Sequence, residues 1–204
     1  MIRIVDYGVG NIQAFLNMFK RLDLPAERAK EASDLADATR LILPGVGSFD
    51  HAMTLLNGSG LRQPLETRVM AEGVPVLGVC VGMQMLAGGS DEGQLPGLNW
   101  IPGRVRAFAS TPASAHLPRP HMGWNDLKVS PGSRLFTQAE AQPRFYFLHS
   151  YYFDCDDRTH VAATAHYGMD FDCVVSAGHI HGVQCHPEKS HHFGAQLLKN
   201  FATL

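Results

Sequence analysis

The chain has 204 residues, a formal net charge of -2, 45% hydrophobic and 18% charged residues. This is enough chain for one domain, residues 1–204, with a substantial core, while the charge excludes extended disorder and a dedicated nucleic-acid binder. No run is long and apolar enough for a membrane span, and Met1-Ile2-Arg3-Ile4-Val5-Asp6 lacks the regions of a secretory signal, so a cytoplasmic protein is expected.

Ile2-Arg3-Ile4-Val5 reads as a first strand, followed by the glycine-rich turn Tyr7-Gly8-Val9-Gly10. Asn11 is a good helix N-cap, with Ile12, Phe15, Leu16 and Phe19 at helical spacing behind it. Gly8-x-Gly10 is a poor dinucleotide fingerprint, because Gln13 stands where the third glycine belongs. Residues 40–43 predict a second buried strand ending in Pro44-Gly45-Val46-Gly47, and residues 74–79 a third that runs into Cys80. Such alternation predicts an α/β fold with an open, mainly parallel sheet and helices on both faces. Residues 88–131, rich in Gly, Pro and Ser, predict short strands and loops. Beyond them come an aromatic strand over 145–148, a run over 161–165, a strand over 179–184 and a closing helix over 193–201.

The four cysteines form no Cys-x-x-Cys pair, so neither a zinc ribbon nor a redox motif is indicated. Cys80 stands apart from the other three. Gly78-Val79-Cys80-Val81-Gly82 has the form of a nucleophile elbow, a sharp turn that lifts the side chain clear of the sheet. The flanking glycines remove Cβ atoms that would collide across the turn. A helix over 81–86 would point its free N–H groups and positive end at the thiol, favouring thiolate. A buried structural cysteine is the competing reading.

Gly182-Val183-Gln184-Cys185-His186-Pro187-Glu188 supplies a base and an acid. If the strand persists here, residues two apart share a face and His186 meets Glu188. His186 then exchanges the proton of Cys80 and Glu188 orients the imidazole, as in other triads. A surface ion pair at a turn is the alternative.

Gly-x-Cys-x-Gly-Met-Gln followed about a hundred residues later by His-Pro-Glu resembles the class I, triad-type glutamine amidotransferases. Five further segments resemble the glutaminase subunits of imidazole glycerol phosphate synthases. They are Asp6-Tyr7-Gly8-Val9-Gly10-Asn11, Pro44-Gly45-Val46-Gly47-Ser48-Phe49, Pro120-His121-Met122-Gly123-Trp124-Asn125, Phe147-Leu148-His149-Ser150-Tyr151 and His186-Pro187-Glu188-Lys189-Ser190. The resemblance implies a flavodoxin-like fold, L-glutamine as substrate, hydrolysis through a thioester, and a (β/α)8-barrel synthase (cyclase) subunit that receives the ammonia in a heterodimer. It implies an oxyanion hole from the N–H groups of Val46 and Val81, substrate contacts from Gly47, Gln84, His149, Ser150 and Tyr151, and a partner-facing role for Asn11, Met122 and Trp124. No cofactor, metal, nucleic acid or membrane is implied.

Cys185 stands where the family usually has Phe and is expected to pack; His179 stands where Asn is commoner. Paralogues that serve surface-polysaccharide sugar synthesis share the chemistry and differ in partner. Eleven histidines invite a metal site at His179, His181, His186, His191 and His192, but no acidic or thiolate cluster completes it. A partner-independent cysteine peptidase and a binding module with a vestigial triad are the other competitors. Phe145 and Phe147 are expected in the core.

Overall fold

Short apolar runs bounded by turn residues become strands because each buries both faces under covering elements. In the computed structural model, which describes residues 1–204, β1 (Ile2–Val5), β2 (Ala26–Ala29), β3 (Arg40–Gly45) and β4 (Val76–Cys80) pair in parallel in the order β2-β1-β3-β4. Every residue of β4 is buried. The edge strand β2, Ala-Glu-Arg-Ala, carries almost no apolar signal; its register with β1 sets Glu27 beside Arg3, and the two side chains pair at 2.6 Å.

The helices of this half are α1 (Ile12–Arg21), α2 (Phe49–Gly58), α3 (Arg62–Glu66) and α4 (Val81–Gln84). Asn11 caps α1, its Oδ1 accepting from the Ala14 N–H at 3.3 Å. Ile12, Phe15, Met18 and Phe19 turn inward from α1. The helix after Cys80 is shorter than its sequence predicts. It stops at Gln84, and Met85 and Leu86 continue as a turn. One helical turn aligns few peptide dipoles, so individual N–H groups, rather than a macrodipole, face the thiol.

The second half is built from β5 (Gly103–Ala107), β6 (His121–Asp126), β7 (Lys128–Val129), β8 (Arg144–His149), β9 (Tyr151–Cys155), β10 (Val161–His166), β11 (Asp170–Ala177) and β12 (Ile180–Val183), with α5 (His191–Ala202) closing the chain. β12 returns to lie parallel to β4, matching Gly182 with Gly78 and Val183 with Val79. β11, β10 and β7 extend the sheet antiparallel, β9 pairs with β11 and β5, and β6 and β8 form a separate two-stranded ribbon. The architecture is the flavodoxin-like α/β fold, a mainly parallel sheet with an antiparallel flank. Phe145 and Phe147 lie in the core, as expected. No helix is long and apolar enough to cross a membrane.

Candidate active site

Cys80 ends β4 with φ 55 and ψ -114, a backbone conformation that an L-residue holds only at a cost of about 1–3 kcal/mol. Glycine makes the turn possible. A Cβ on Gly78 would sit 2.6 Å from the Gly82 carbonyl oxygen, one on Gly82 1.9 Å from that of Leu43, and one on Gly45 2.4 Å from the Gly82 nitrogen. Three backbone segments therefore meet at van der Waals limits beneath the thiol. Gly45 and Gly82 bring the Pro44–Gly47 loop against the start of α4, so Val46 and Val81 line one cavity with Cys80. No turn, loop or side-chain acceptor takes up the N–H of either valine.

His186 Nδ1 lies 2.9 Å from Glu188 Oε1, with both side chains buried. The route to that contact differs from the extended strand predicted for 186–188. β12 ends at Val183, His186 precedes a 3-10 turn over Pro187–Lys189, and the turn brings the carboxylate back to the ring. Pro187 has no N–H to donate, which suits the first position of a helical turn. Ser190 Oγ secures the turn by donating to the His186 carbonyl at 2.6 Å. Burial pulls the His186 pKa down, but Cys80 and Glu188 beside the ring outweigh it and hold it at about 9. The ring is an imidazolium at neutral pH. The sulfur has a second polar neighbour besides the imidazole, Gln184 Nε2 donating to Cys80 Sγ at 3.7 Å.

These groups open into a cavity of about 310 Å³ that also holds Gly47, Gln84, Glu92, Pro120, Leu148, His149, Ser150, Tyr151 and Lys189. Every residue that the resemblance implies as a glutamine contact is thus on its wall. Ser150 is the corner where the chain leaves the β6–β8 ribbon for β9. Gln84 is already committed through its nitrogen. Nε2 donates to the Tyr151 carbonyl at 3.3 Å and to Gln184 Oε1 at 3.0 Å. Only its Oε1 is left, so it suits an ammonium better than a carboxylate. Glu92 and Lys189 were not singled out by sequence reasoning. Glu92 Oε2 accepts the Phe49 N–H at 2.8 Å and so ties the start of α2 to the cavity wall; its only advance signal was an acidic residue in a turn after the elbow. A smaller cavity beside α5, lined by Leu135, Phe136, Phe145 and Phe193, contains neither a cysteine nor the His186–Glu188 pair.

The ribbon alternates strictly. His121, Phe145, Phe147 and His149 turn inward, while Met122, Trp124 and Leu148 are exposed, Met122 facing Leu148 across the strands. Trp124 stacks on His191, ring centroids 5.4 Å apart and planes 1° from parallel. With Val46, also exposed, these side chains put apolar surface beside the cavity mouth. Asn11 stands apart as the α1 cap, but its loop touches the same structure, since a Cβ on Gly10 would meet Pro44 Cβ at 2.9 Å.

The other cysteines are buried, and burial pushes the thiols of Cys173 and Cys185 well up. His179 finds a role its sequence did not suggest, with Nε2 2.8 Å from the Val69 carbonyl oxygen. His181 Nδ1 pairs with Ser176 Oγ at 2.9 Å, and His192 with Glu140 at 3.1 Å. No three His, Cys, Asp or Glu side chains are grouped to hold a metal ion.

A nucleophile elbow on a flavodoxin-like sheet, beside a histidine–carboxylate pair, defines a class of protein, and the comparisons name it. The class I glutamine amidotransferase model matches residues 4–204, and the chain belongs to that family. It is a glutamine amidotransferase. Among its relatives, imidazole glycerol phosphate synthase subunit HisH of Bdellovibrio bacteriovorus is 57% identical over 204 residues, covering 100% of both chains. The protein of the same name from Leptospira interrogans is 48% identical, again over 100% of both. A crystal structure of a glutamine amidotransferase shares the fold with a TM-score of 0.77 at 21% identity, covering 100% of this chain and 99% of its own.

Proposed function

We propose that the chain is the single-domain glutaminase subunit of an imidazole glycerol phosphate synthase, releasing ammonia from L-glutamine for a (β/α)8-barrel cyclase subunit in histidine biosynthesis. The observation that carries the reading is one cavity in which Cys80 sits on a strained elbow beside a buried His186 held by Glu188.

The chemistry follows from the protonation state. With His186 as imidazolium, Cys80 attacks the glutamine side-chain carbonyl as thiolate, and the oxygen acquires negative charge. The N–H groups of Val46 and Val81 receive that charge; loss of one such donor typically costs ~10²–10³ in rate. His186 gives its proton to the departing ammonia, then takes one from the water that cleaves the thioester, with Glu188 keeping Nδ1–H in place throughout. Glu92 and Lys189 are charged walls of opposite sign, which suits the zwitterionic end of an amino acid, and Gln84 Oε1 adds an acceptor for its ammonium. The apolar face of Met122, Trp124 and Leu148 next to the cavity mouth is where the cyclase docks, carried in part by the Trp124 anchor.

The test is glutamate release by the purified chain, alone and with the histidine-pathway cyclase subunit and its nucleotide ligand, beside Cys80→Ala. Stimulation by the cyclase, lost in Cys80→Ala, supports the reading. Labelling of Cys80 by a glutamine-analogue electrophile without stimulation keeps the glutaminase and removes this partner. The absence of both stimulation and labelling overturns the whole reading.

A further inference from the structure

Gln184 is polar, wholly buried and adjacent to the nucleophile, yet no triad step uses it. Its two amide ends have different partners, Cys80 Sγ at 3.7 Å and Gln84 Nε2 at 3.0 Å. Heavy-atom positions alone do not fix which end is nitrogen, so the polarity has to follow from the neighbours.

The Tyr151 carbonyl decides it. A carbonyl oxygen only accepts, and this one takes Gln84 Nε2 at 3.3 Å and His149 Nδ1 at 2.7 Å. Gln84 must therefore point its NH2 group that way, and the second hydrogen of the same group goes to Gln184. Gln184 presents its oxygen to Gln84, which leaves its NH2 aimed at the sulfur. The same carbonyl sets the histidines. With its proton on Nδ1, neutral His149 has a bare Nε2, which accepts from His121 Nδ1 at 3.0 Å. The bare Nε2 of His121 then accepts from Asn125 Nδ2 at 3.2 Å, and that amide also donates to the His166 carbonyl at 2.8 Å. Burial keeps both rings neutral, lowering His149 to about 3 and His121 to about 4. Every link has one permitted direction between the inner face of the ribbon and Cys80.

We propose that the Gln184 amide is a dedicated hydrogen-bond donor to the Cys80 thiolate, its polarity set by the Tyr151 carbonyl through Gln84. The proposal rests on Cys80 being the nucleophile. A neutral donor on the sulfur has a distinct use. Gln184 stabilises the sulfur's charge before attack and again as the thioester is cleaved, without holding a proton that His186 must deliver to the leaving ammonia.

The experiment is the pH dependence of Cys80 alkylation by iodoacetamide, read by mass spectrometry of the Cys80 peptide, in the full chain and in Gln184→Met and Gln184→Glu. The groups that titrate or carry charge around the sulfur, His186 with Glu188, Tyr7, Cys185, Glu92 and Lys189, are the same in wild type and Gln184→Met, while Gln184→Glu adds one carboxyl beside them. Gln184→Met keeps the shape and removes the donor. It slows alkylation at pH 7 by roughly tenfold, the worth of one hydrogen bond to a charged group, and moves the profile to higher pH. Gln184→Glu keeps the acceptor for Gln84 and moves the profile further. A purely structural Gln184 lowers the melting temperature without moving the profile. A folded Gln184→Met with the wild-type profile overturns the proposal; if that variant does not fold, a wild-type profile in Gln184→Glu does so. Alkylation needs neither glutamine nor a partner, so failure here leaves the glutaminase reading standing, and failure of glutamate release leaves this result standing.

Discussion

The elbow under Cys80 and the β6–β8 ribbon face the same cavity, but they are specified in opposite ways. At the elbow, main chain meets main chain; Gly45, Gly78 and Gly82 are there because a single Cβ would overlap a neighbouring segment. In the ribbon, side chains do the specifying, with aromatic and histidine rings turned inward and Met122, Trp124 and Leu148 turned out. Protonation follows the same division. Charge partners hold His186 protonated, to about pH 9, whereas burial keeps His121 and His149 neutral down to about 4 and 3. A rigid backbone turn gives Cys80 one position, and a side-chain-built ribbon carries exposed apolar groups without disturbing it.

The sharpest way to break this contrast is Gly82→Ala. The new Cβ would lie 1.9 Å from the Leu43 carbonyl oxygen, with only backbone to move. A loss of about 3 kcal/mol or more in chemical denaturation is expected, with activity falling alongside. An alanine variant of wild-type stability would show the elbow to be far looser than its geometry. Next in size is Glu188→Gln, which keeps the shape and removes the charge. Glutamate release falls by ~10²–10⁴-fold, as for other triads deprived of their acid.

The pH dependence of stability should separate the two regions by sign. The folded pKa of His186 lies above its ordinary 6.5, so its stabilisation is complete below about 6.5 and is lost as pH rises through about 9. The melting-temperature gap between wild type and Glu188→Gln therefore closes over that window. His121 and His149 have folded pKa values below 6.5, so their contribution is complete above 6.5 and is lost as pH falls towards about 4. His121→Phe, with one fewer ring to protonate, softens that acid limb and leaves the alkaline one in place. Two limbs that both respond to the same variant would dissolve the distinction.

Smaller effects belong to the outside. Trp124→Ala removes a half-exposed ring stacked on His191, costing about 1 kcal/mol of stability, and lowers cyclase-stimulated glutamate release several-fold. Unchanged basal and stimulated rates would remove Trp124 from the docking face. His179→Asn gives up the bond to the Val69 carbonyl, so the expected cost is about 1 kcal/mol in melting experiments, without a change in rate.

Much of this was legible in residues that act locally. Buried parallel strands announce themselves as unbroken apolar runs, the Asn11 cap and the α1 stripe as helical periodicity, and the elbow as glycines around a cysteine. β2 was not legible, because an edge strand with one neighbour needs little apolar signal. The seating of His186 was misjudged, since alternation predicts an extended strand where Pro187 begins a 3-10 turn. Glu92 and Gln184 escaped because nothing in their neighbours states which cavity they will face.

By itself, then, the sequence determined the order of the central strands and α1, the tight turn at Cys80 and the inward seating of Phe145 and Phe147, all consequences of spacing within a few residues. Only the tertiary structure decided that Gln184 reaches Cys80, that Glu92 walls the same cavity, and that one carbonyl at Tyr151 orders the side chains of Gln84, Gln184, His149, His121 and Asn125. Those outcomes depend on contacts between segments as much as 104 residues apart. There, hydrogen-bond direction is imposed by whichever neighbour has no freedom to reverse its own.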